Sequence, residues 1–221
     1  MNDFLRDVAY LLRPHQWVKN LLVLAPPFFG GALFTNGSMF LKMFLAFVGF
    51  SLASSTAYII NDITDIEHDR LHPQKRQRPL SSGRINIFTA VVLSLITLAL
   101  SLAASYKIGL EFLMFTIAYL ALSLAYSFYL QRIEIIDVFC IAAGYVLKIE
   151  AGGIASGIEV SNWLLLTTFL LSLLLAFGKR RHELALHHDP EKPFREVLQR
   201  YNTNFLATTL SIFETTAIVT S

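Results

Sequence analysis

An acidic segment lies at the end of the second long apolar stretch of the chain. The segment, residues 58–69, includes Asn61, Asp62, Asp65 and Asp69. In a helix this spacing places the four side chains on one face, where like charges repel one another. Mg²⁺ takes oxygen ligands and commonly bridges one or two carboxylates to the phosphates of a substrate. The segment therefore indicates a magnesium site, and the alternative is a solvated acidic helix end.

The loop that follows, residues 72–84, is strongly basic. Its cationic side chains are Lys75, Arg76, Arg78 and Arg84. A guanidinium offers a planar fork, and an ammonium offers a point charge, for phosphate oxygens. Alone, such a loop is typical of a topology anchor or of contact with anionic lipid. Beside the carboxylates it predicts a metal–diphosphate site, in which acids hold the metal and bases hold the phosphate oxygens.

Further polar residues fall in or beside apolar stretches. They are Lys19, Tyr58, Tyr126, Arg132, Asp137 and Lys148. Lys148 follows Asp137 by eleven residues, which is about three turns along one helix face. An unpaired lysine inside a membrane is costly, so we expect it to meet a substrate anion; the alternative is a pair with Asp137 or with an acid of the second span. The basic run 179–181 either recruits an anionic substrate or anchors the topology.

The composition shows what kind of protein must position these side chains. Of the 221 residues, 54% are hydrophobic and 15% charged, whereas typical soluble domains are about 25% charged. A soluble globule and a disordered chain are both excluded. The formal charge of +2 is far from that of a nucleic-acid binder. Cys140 is the single cysteine, so the chain can form neither an intramolecular disulfide nor a cysteine-based metal site.

We predict an all-α, polytopic transmembrane bundle, because stretches long enough to cross a bilayer recur along the chain. They are 20–36, 39–60, 86–106, 109–130, 135–155, 162–178 and 205–221. The first would be kinked at Pro26-Pro27 and Gly30-Gly31. Gly152 and Gly153 are expected to allow close packing of helices.

The distribution of positive charge predicts the orientation. Fifteen Lys and Arg residues fall on one side of the predicted bundle, against two on the other. Basic residues accumulate on the cytoplasmic side, so the N-terminus and the basic loop are expected to face the cytoplasm from the cell membrane. The seventh span runs to Ser221. We therefore expect one integral-membrane domain, 1–221, that lacks later C-terminal helices.

With these motifs, the sequence resembles the UbiA-type intramembrane prenyltransferase superfamily. The likeness lies in 61–69 (NDITDIEHD) and 78–83 (RPLSSG). A narrower likeness, to its decaprenyl-phosphate phosphoribosyltransferase branch, lies in 13–20 (RPHQWVKN), in 72–76 (HPQKR), and in Asp137 with 144–148 (GYVLK). The chain departs from that branch at Gln131, where a lysine is usual, and at Lys148, where an arginine is usual. The family also has about nine helices.

The resemblance implies a reaction and a cofactor. An oxygen of a polyprenyl phosphate would attack C1 of 5-phosphoribosyl diphosphate (PRPP) and displace diphosphate, towards arabinose donors for cell-wall polymers. Mg²⁺ would be held by Asn61 and Asp65. The residues expected to be catalytic are Asp62, Asp65, Asp69 and Asp137. Those expected to bind substrate are Lys19, Tyr58, Lys75, Arg76, Arg78, Tyr126, Arg132 and Lys148.

Two other functions compete with this one. An aromatic-substrate prenyltransferase of the same superfamily usually has a second Asp-rich motif, but Asp137 has no acidic neighbour at 133 or 141. A transporter would also carry buried charges, and inverted repeats would support it, yet none is visible. The expected partners are PRPP, polyprenyl phosphate and membrane lipid, without nucleic acid, and a homo-oligomer is left open.

Overall fold

A computed structural model describes residues 3–34, 37–71, 73 and 75–185 of the chain. Within those ranges the regular structure is entirely helical. The α-helices are α1 (Asp3–Leu12), α2 (Ala25–Phe29), α3 (Gly37–Thr64), α4 (Ile66–Leu71), α5 (Ile87–Ile108), α6 (Leu110–Phe128), α7 (Ile136–Ser156) and α8 (Asn162–Ala185). Short 3₁₀ helices cover Lys75–Gln77 and Leu130–Arg132, and a longer one, the entry segment, covers Pro14–Leu24.

Five of these helices are long and apolar enough to cross a membrane: α3, α5, α6, α7 and α8. They match the second to sixth predicted spans, and the prediction of an all-α membrane protein is confirmed. The predicted span at 205–221 lies outside the described residues.

The first predicted span, 20–36, is not one continuous helix. The entry segment ends at Leu24, and α2 then runs only from Ala25 to Phe29. Proline lacks the N–H that an inner helical position needs, so Pro26 and Pro27 are tolerated only at the start of α2. Gly31 then adopts φ +70°, a conformation that favours glycine. The first apolar stretch therefore consists of two short helical pieces and does not form one long helix.

Contacts divide the chain into two compact units, and the first comprises residues 1–124 and 148–159. In it, α3 packs against α5 and against the entry segment. Small and hydroxylated residues line the α3–α5 contact: Ser101 donates to the Gly49 carbonyl at 2.8 Å, and Thr56 and Thr97 bond at 2.8 Å. Such residues let the backbones of membrane helices approach closely.

The expected close packing at Gly152 is confirmed in the first unit. A Cβ built there would lie 2.0 Å from the Val23 carbonyl oxygen of the entry segment. No side chain fits at that distance, so the end of α7 rests directly on the backbone of the entry segment.

An apolar cluster in the first unit joins α1 to the loop that follows α4. Its buried members are Leu11, Ile59, Ile66, Leu80, Ile85 and Ala90. Asp7 of α1 is also buried and accepts bonds from Arg84 Nε at 3.1 and 3.0 Å. The amphipathic α1 thus holds the end of the basic loop.

The second unit comprises residues 125–147 and 160–221, and it is described as far as residue 185. The start of α7 packs on α8 through the buried residues Val138, Ala142, Leu173, Ala176 and Phe177. Phe139 and Phe169 extend this contact with their rings edge to face, 5.8 Å apart.

Candidate active site

The acidic segment is divided between two helices. We expected one helix through Asp69, but α3 ends at Thr64 and α4 begins at Ile66. The helical course survives the break, because Asp65 N donates to the Asn61 carbonyl at 3.0 Å and Asp69 N donates to the Asp65 carbonyl at 2.8 Å. The acids therefore remain on neighbouring turns, in the first unit.

Asp62 is buried at the end of α3, and two guanidinium groups share one of its oxygens. Arg13 Nη2 and Arg78 Nη1 both donate to Asp62 Oδ1, the second at 2.9 Å. The other oxygen, Oδ2, is buried and has no hydrogen-bond partner in the described part of the chain. An unmatched buried carboxylate oxygen is costly, so this atom calls for a cation or a donor.

Asp69 is buried on α4 and is bound by the basic loop. Arg78 Nη1 donates to Asp69 Oδ2 at 2.7 Å, and Lys75 Nζ lies 3.6 Å from Oδ1. One nitrogen of Arg78 therefore bridges Asp62 and Asp69. Lys75 and Arg78 of the basic loop therefore contact the acids, as the sequence indicated, whereas Arg84 of the same loop binds Asp7.

Asp65 lies outside these ion pairs and is bound by its neighbour one turn earlier. Asn61 Nδ2 donates to Asp65 Oδ2 at 3.0 Å. Burial and the negative charge of Asp69 raise the pKa of the Asp65 carboxyl above its usual value, although Lys75 and the Asn61 amide act in the opposite direction. These causes disfavour the ionised carboxylate, and a divalent cation beside it would favour that form.

The oxygens of this cluster would suit a magnesium ion whose coordination is completed by water and by substrate. The Asn61 and Asp65 side chains, with the unmatched Asp62 Oδ2, offer amide and carboxylate oxygens on adjacent turns. The residues that the structure describes contain no metal-holding group of three or more His, Cys, Asp or Glu side chains. A site with few protein ligands is typical of Mg²⁺, which usually keeps several waters and takes phosphate oxygens.

Other predicted residues of the first unit lie around this cluster or farther along the helices. The Tyr58 ring lies under the Arg13 guanidinium, 4.9 Å from centroid to Cζ. Lys19 on the entry segment and Arg76 on the 3₁₀ helix 75–77 are exposed. Lys148 is buried on α7, with its Nζ 4.8 Å above the Tyr119 ring.

A buried polar chain extends from Tyr119 across the first unit. The Tyr119 hydroxyl bonds to Ser54 at 3.0 Å, Ser54 donates to Asn20 Oδ1 at 3.1 Å, and Asn20 Nδ2 donates to Ser51 at 3.2 Å. This network fixes the ring beneath Lys148. The sequence reasoning missed Tyr119 and Ser54, whose only signal was a polar group inside an apolar span.

Three predicted residues lie in the second unit, and one of them has an unexpected partner. Asp137 is fully buried and accepts a 2.7 Å bond from Arg180 Nε, while Arg180 Nη2 lies 3.4 Å from the Tyr126 hydroxyl. Arg132 is exposed. We expected Arg180 to recruit substrate or to anchor topology at the surface, but it is buried and holds Asp137.

Sequence reasoning also left Arg13 out of the candidate site. The signal was present, because Arg13 opens the segment RPHQWVKN that carries the family likeness. The sequence did not indicate that Arg13 binds Asp62, which is 49 residues away along the chain. Gln131, at the other position that departs from the family pattern, donates to the Ser127 carbonyl at 2.6 Å.

Comparison with known proteins places this chain in a family. Residues 23–183 match the UbiA prenyltransferase family. The decaprenyl-phosphate phosphoribosyltransferase of Corynebacterium glutamicum is 38% identical over 198 residues, which cover 88% of this chain and 60% of that protein. That of Mycobacterium tuberculosis is 35% identical over 207 residues, covering 92% of this chain and 68% of that protein.

A solved structure agrees with these matches. The UbiA homolog from Archaeoglobus fulgidus bound to DMAPP and Mg²⁺ has a TM-score of 0.81 at 22% identity, over 97% of this chain and 76% of that one. The chain spans about 60 to 68% of the length of the curated relatives named above. The expected family is confirmed: this integral membrane protein belongs to the UbiA prenyltransferase family.

Proposed function

We propose that this protein transfers 5-phosphoribose from PRPP to a polyprenyl phosphate such as decaprenyl phosphate. The observation that carries the proposal is Arg78 bridging the buried Asp62 and Asp69, beside the Asn61–Asp65 pair. This arrangement combines oxygen ligands for a metal with cations for phosphate oxygens. Support for the two substrates comes from the relatives named decaprenyl-phosphate phosphoribosyltransferase, which this chain matches over most of its own length.

The reaction is a single displacement at a sugar carbon. A phosphate oxygen of the lipid bonds to C1 of the ribose, and the bond from C1 to the diphosphate oxygen breaks, so that diphosphate leaves with the electron pair. The products are polyprenyl phosphoribose 5-phosphate and diphosphate. The attacking phosphate is already an anion, so no strong base is needed.

Charge compensation of the leaving group is the main task of the protein. Asn61 and Asp65, together with Asp62 Oδ2, would hold Mg²⁺, and the metal would supply a Lewis acid to neutralise the departing diphosphate. Arg78 and Lys75 bind phosphate oxygens directly. Asp62 and Asp69 orient those cations and keep them in place before the substrate arrives.

The remaining predicted residues extend this assignment. Lys19, Tyr58, Arg76 and Lys148 of the first unit, and Tyr126 and Arg132 of the second, are proposed to contact the substrates. Asp137 is proposed to act through Arg180, which it orients. We also propose that the basic loop faces the cytoplasm, since basic residues accumulate on that side of a membrane.

A direct assay tests the proposal. The purified full chain is incubated in detergent with Mg²⁺, labelled PRPP and decaprenyl phosphate, and the lipid phase is examined for labelled phosphoribose. A parallel reaction contains geranyl diphosphate and 4-hydroxybenzoate. We expect product only in the first reaction, and its loss with EDTA. Prenylated hydroxybenzoate without lipid-linked phosphoribose would replace this proposal with an aromatic prenyltransferase.

A further inference from the structure

We propose that Arg13 is an additional oxyanion-binding residue of this site. The group that it binds is a phosphate or diphosphate oxygen of the phosphorylated substrate. The inference rests on the proposed function only for the identity of that substrate, because any diphosphate-releasing reaction at these acids would use the same contact.

The backbone of Arg13 is held in a strained conformation. Its φ and ψ are 51° and 54°, and within the described ranges only Ile135 shares a positive φ among residues other than glycine. The left-handed region costs a residue with a Cβ about 1–2 kcal/mol. Glycine or asparagine would adopt this backbone conformation at lower cost. The backbone therefore does not explain an arginine at this position, and its side chain must. Strain of this kind concentrates at functional sites.

The segment that Arg13 begins is also unusual. The entry segment is a 3₁₀ helix of 11 residues, whereas such helices rarely exceed about four residues. Arg13 N still donates to the Ala9 carbonyl at 3.2 Å, and Gln16 N donates to the Arg13 carbonyl at 2.8 Å. The chain therefore turns sharply at Arg13, and backbone hydrogen bonds are kept on both sides of the turn. These bonds fix the position of the Arg13 Cα, from which the side chain extends.

The side chain is oriented by two neighbours before any substrate binds. Nη2 donates to Asp62 Oδ1, and the guanidinium lies over the Tyr58 ring at 4.9 Å. Only 16% of the side chain is exposed. Stacking and ionic contact on a guanidinium reduce the freedom that it must lose when it binds a ligand.

The hydrogen bonds and charges around Arg13 leave room for a phosphate once a metal is bound. Two guanidiniums, from Arg13 and Arg78, share the single oxygen Asp62 Oδ1, and Lys75 and Arg78 share Asp69. With Asp65 counted, three basic side chains face three acids, so these charges balance before metal or substrate binds. Mg²⁺ at Asn61 and Asp65 would make the balance positive. A phosphate oxyanion then fits beside Arg13, because a guanidinium matches phosphate with two parallel hydrogen bonds.

The competing explanation is structural: Arg13 merely ties the entry segment to α3 through Asp62. Binding measurements without turnover separate the two explanations. The titrants are Mg²⁺ with inorganic diphosphate and, separately, ribose 5-phosphate. They distinguish the two phosphates of the donor, and calorimetry on the purified full chain in detergent gives each Kd.

Variants at Arg13 are compared with a matched control. In Arg13→Ala we expect the Kd of at least one titrant to rise at least tenfold, and in Arg13→Lys, which keeps the charge but loses the fork, at least threefold. Arg6→Ala, which removes an exposed cation paired with Asp3 on α1, should leave both Kd values unchanged. Binding of Mn²⁺ followed by electron paramagnetic resonance should be retained in Arg13→Lys, because Asn61 and Asp65 are intact.

Several outcomes decide the matter. A lower melting temperature with unchanged Kd values for both titrants in the folded Arg13 variants would overturn the proposal and leave a structural contact. Should Arg13→Ala fail to fold, Arg13→Lys alone decides it, and a Kd equal to that of the unmodified protein is then the refuting result. Weaker diphosphate binding in a protein that makes no lipid-linked phosphoribose would support Arg13 and reject the proposed substrates.

Discussion

Arg180 Nε donates to Asp137 Oδ2 at 2.7 Å, and 2% and 0% of these side chains are exposed. Within the second unit this ion pair connects the first turn of α7 to the end of α8. Removing two charges from water is expensive, and their attraction offsets that cost only while both are present. The pair therefore keeps these two helix ends together, and it sets the position of a guanidinium that sequence reasoning placed at the surface.

The first prediction concerns this pair. Asp137→Ala should lower the free energy of unfolding by about 3–5 kcal/mol, because the buried Arg180 loses the carboxylate that its Nε binds. The double variant, with Arg180→Met added, should recover part of the loss. Chemical unfolding in detergent measures both. Arg181→Ala is the control, since Arg181 is exposed and should change stability by at most about 0.5 kcal/mol. A loss below about 1 kcal/mol in Asp137→Ala would show that Arg180 does not depend on Asp137 for its burial.

The second prediction concerns the metal. Asp65→Asn removes a carboxylate that makes no ion pair in the cluster, and it keeps the size of the side chain. Loss of several kcal/mol of charge stabilisation should reduce turnover at least about a hundredfold. Mn²⁺ affinity, measured by electron paramagnetic resonance, should fall in parallel, while the melting temperature without metal stays the same or rises.

Asn86→Asp is a control for that experiment, because it also exchanges an asparagine and an aspartate, here away from the acidic cluster. Asn86 is the exposed N-cap of α5, and both residues are good N-caps. Its Mn²⁺ affinity should match that of the unmodified protein. Retention of full turnover and Mn²⁺ binding in Asp65→Asn would remove Asp65 from the metal site.

The third prediction separates the two cations of the basic loop. Lys75→Ala removes a 3.6 Å contact of a side chain that is 33% exposed, so it should mainly raise the KM for PRPP, by about tenfold, with kcat nearly unchanged. Arg78→Ala leaves both Asp62 and Asp69 without their shared donor, so it should lower kcat, raise KM and reduce stability together. Steady-state kinetics and thermal unfolding give the comparison. Equal effects of the two variants would contradict the bridging role of Arg78.

Local rules were sufficient for the acidic segment and for the long spans. The i, i+4 spacing of Asn61, Asp65 and Asp69 keeps these residues on neighbouring turns even though α3 ends before Asp65, because the backbone bonds across the break persist. Apolar length alone located α3, α5, α6, α7 and α8. Both features depend only on residues that are close together in the sequence, so they can be predicted from it.

Partners distant in sequence could not be predicted in this way. Asp62 is bound by Arg13, Asp137 by Arg180, and Asp7 by Arg84, at separations of 49, 43 and 77 residues. A charge pattern shows that a buried acid needs a cation, but packing decides which of several cations reaches it. The broken first span was signalled by Pro26 and Pro27, whereas the 3₁₀ form of the entry segment had no sequence signal.

The last prediction concerns the backbone contact between α7 and the entry segment. In Gly152→Ala the new Cβ would lie 2.0 Å from the Val23 carbonyl oxygen, which belongs to a backbone and cannot rotate away. Either helix must shift, at a cost of about 1–3 kcal/mol. Because Lys148 lies four residues before Gly152, and Lys19 four residues before Val23, the shift should also weaken substrate binding. Gly178→Ala is the matched control: its Cβ meets nothing within 4 Å inside α8, and alanine should stabilise that helix by up to about 1 kcal/mol. Unfolding and PRPP binding are measured on both variants, and a Gly152→Ala protein as stable as Gly178→Ala would show that the two backbones are not in contact.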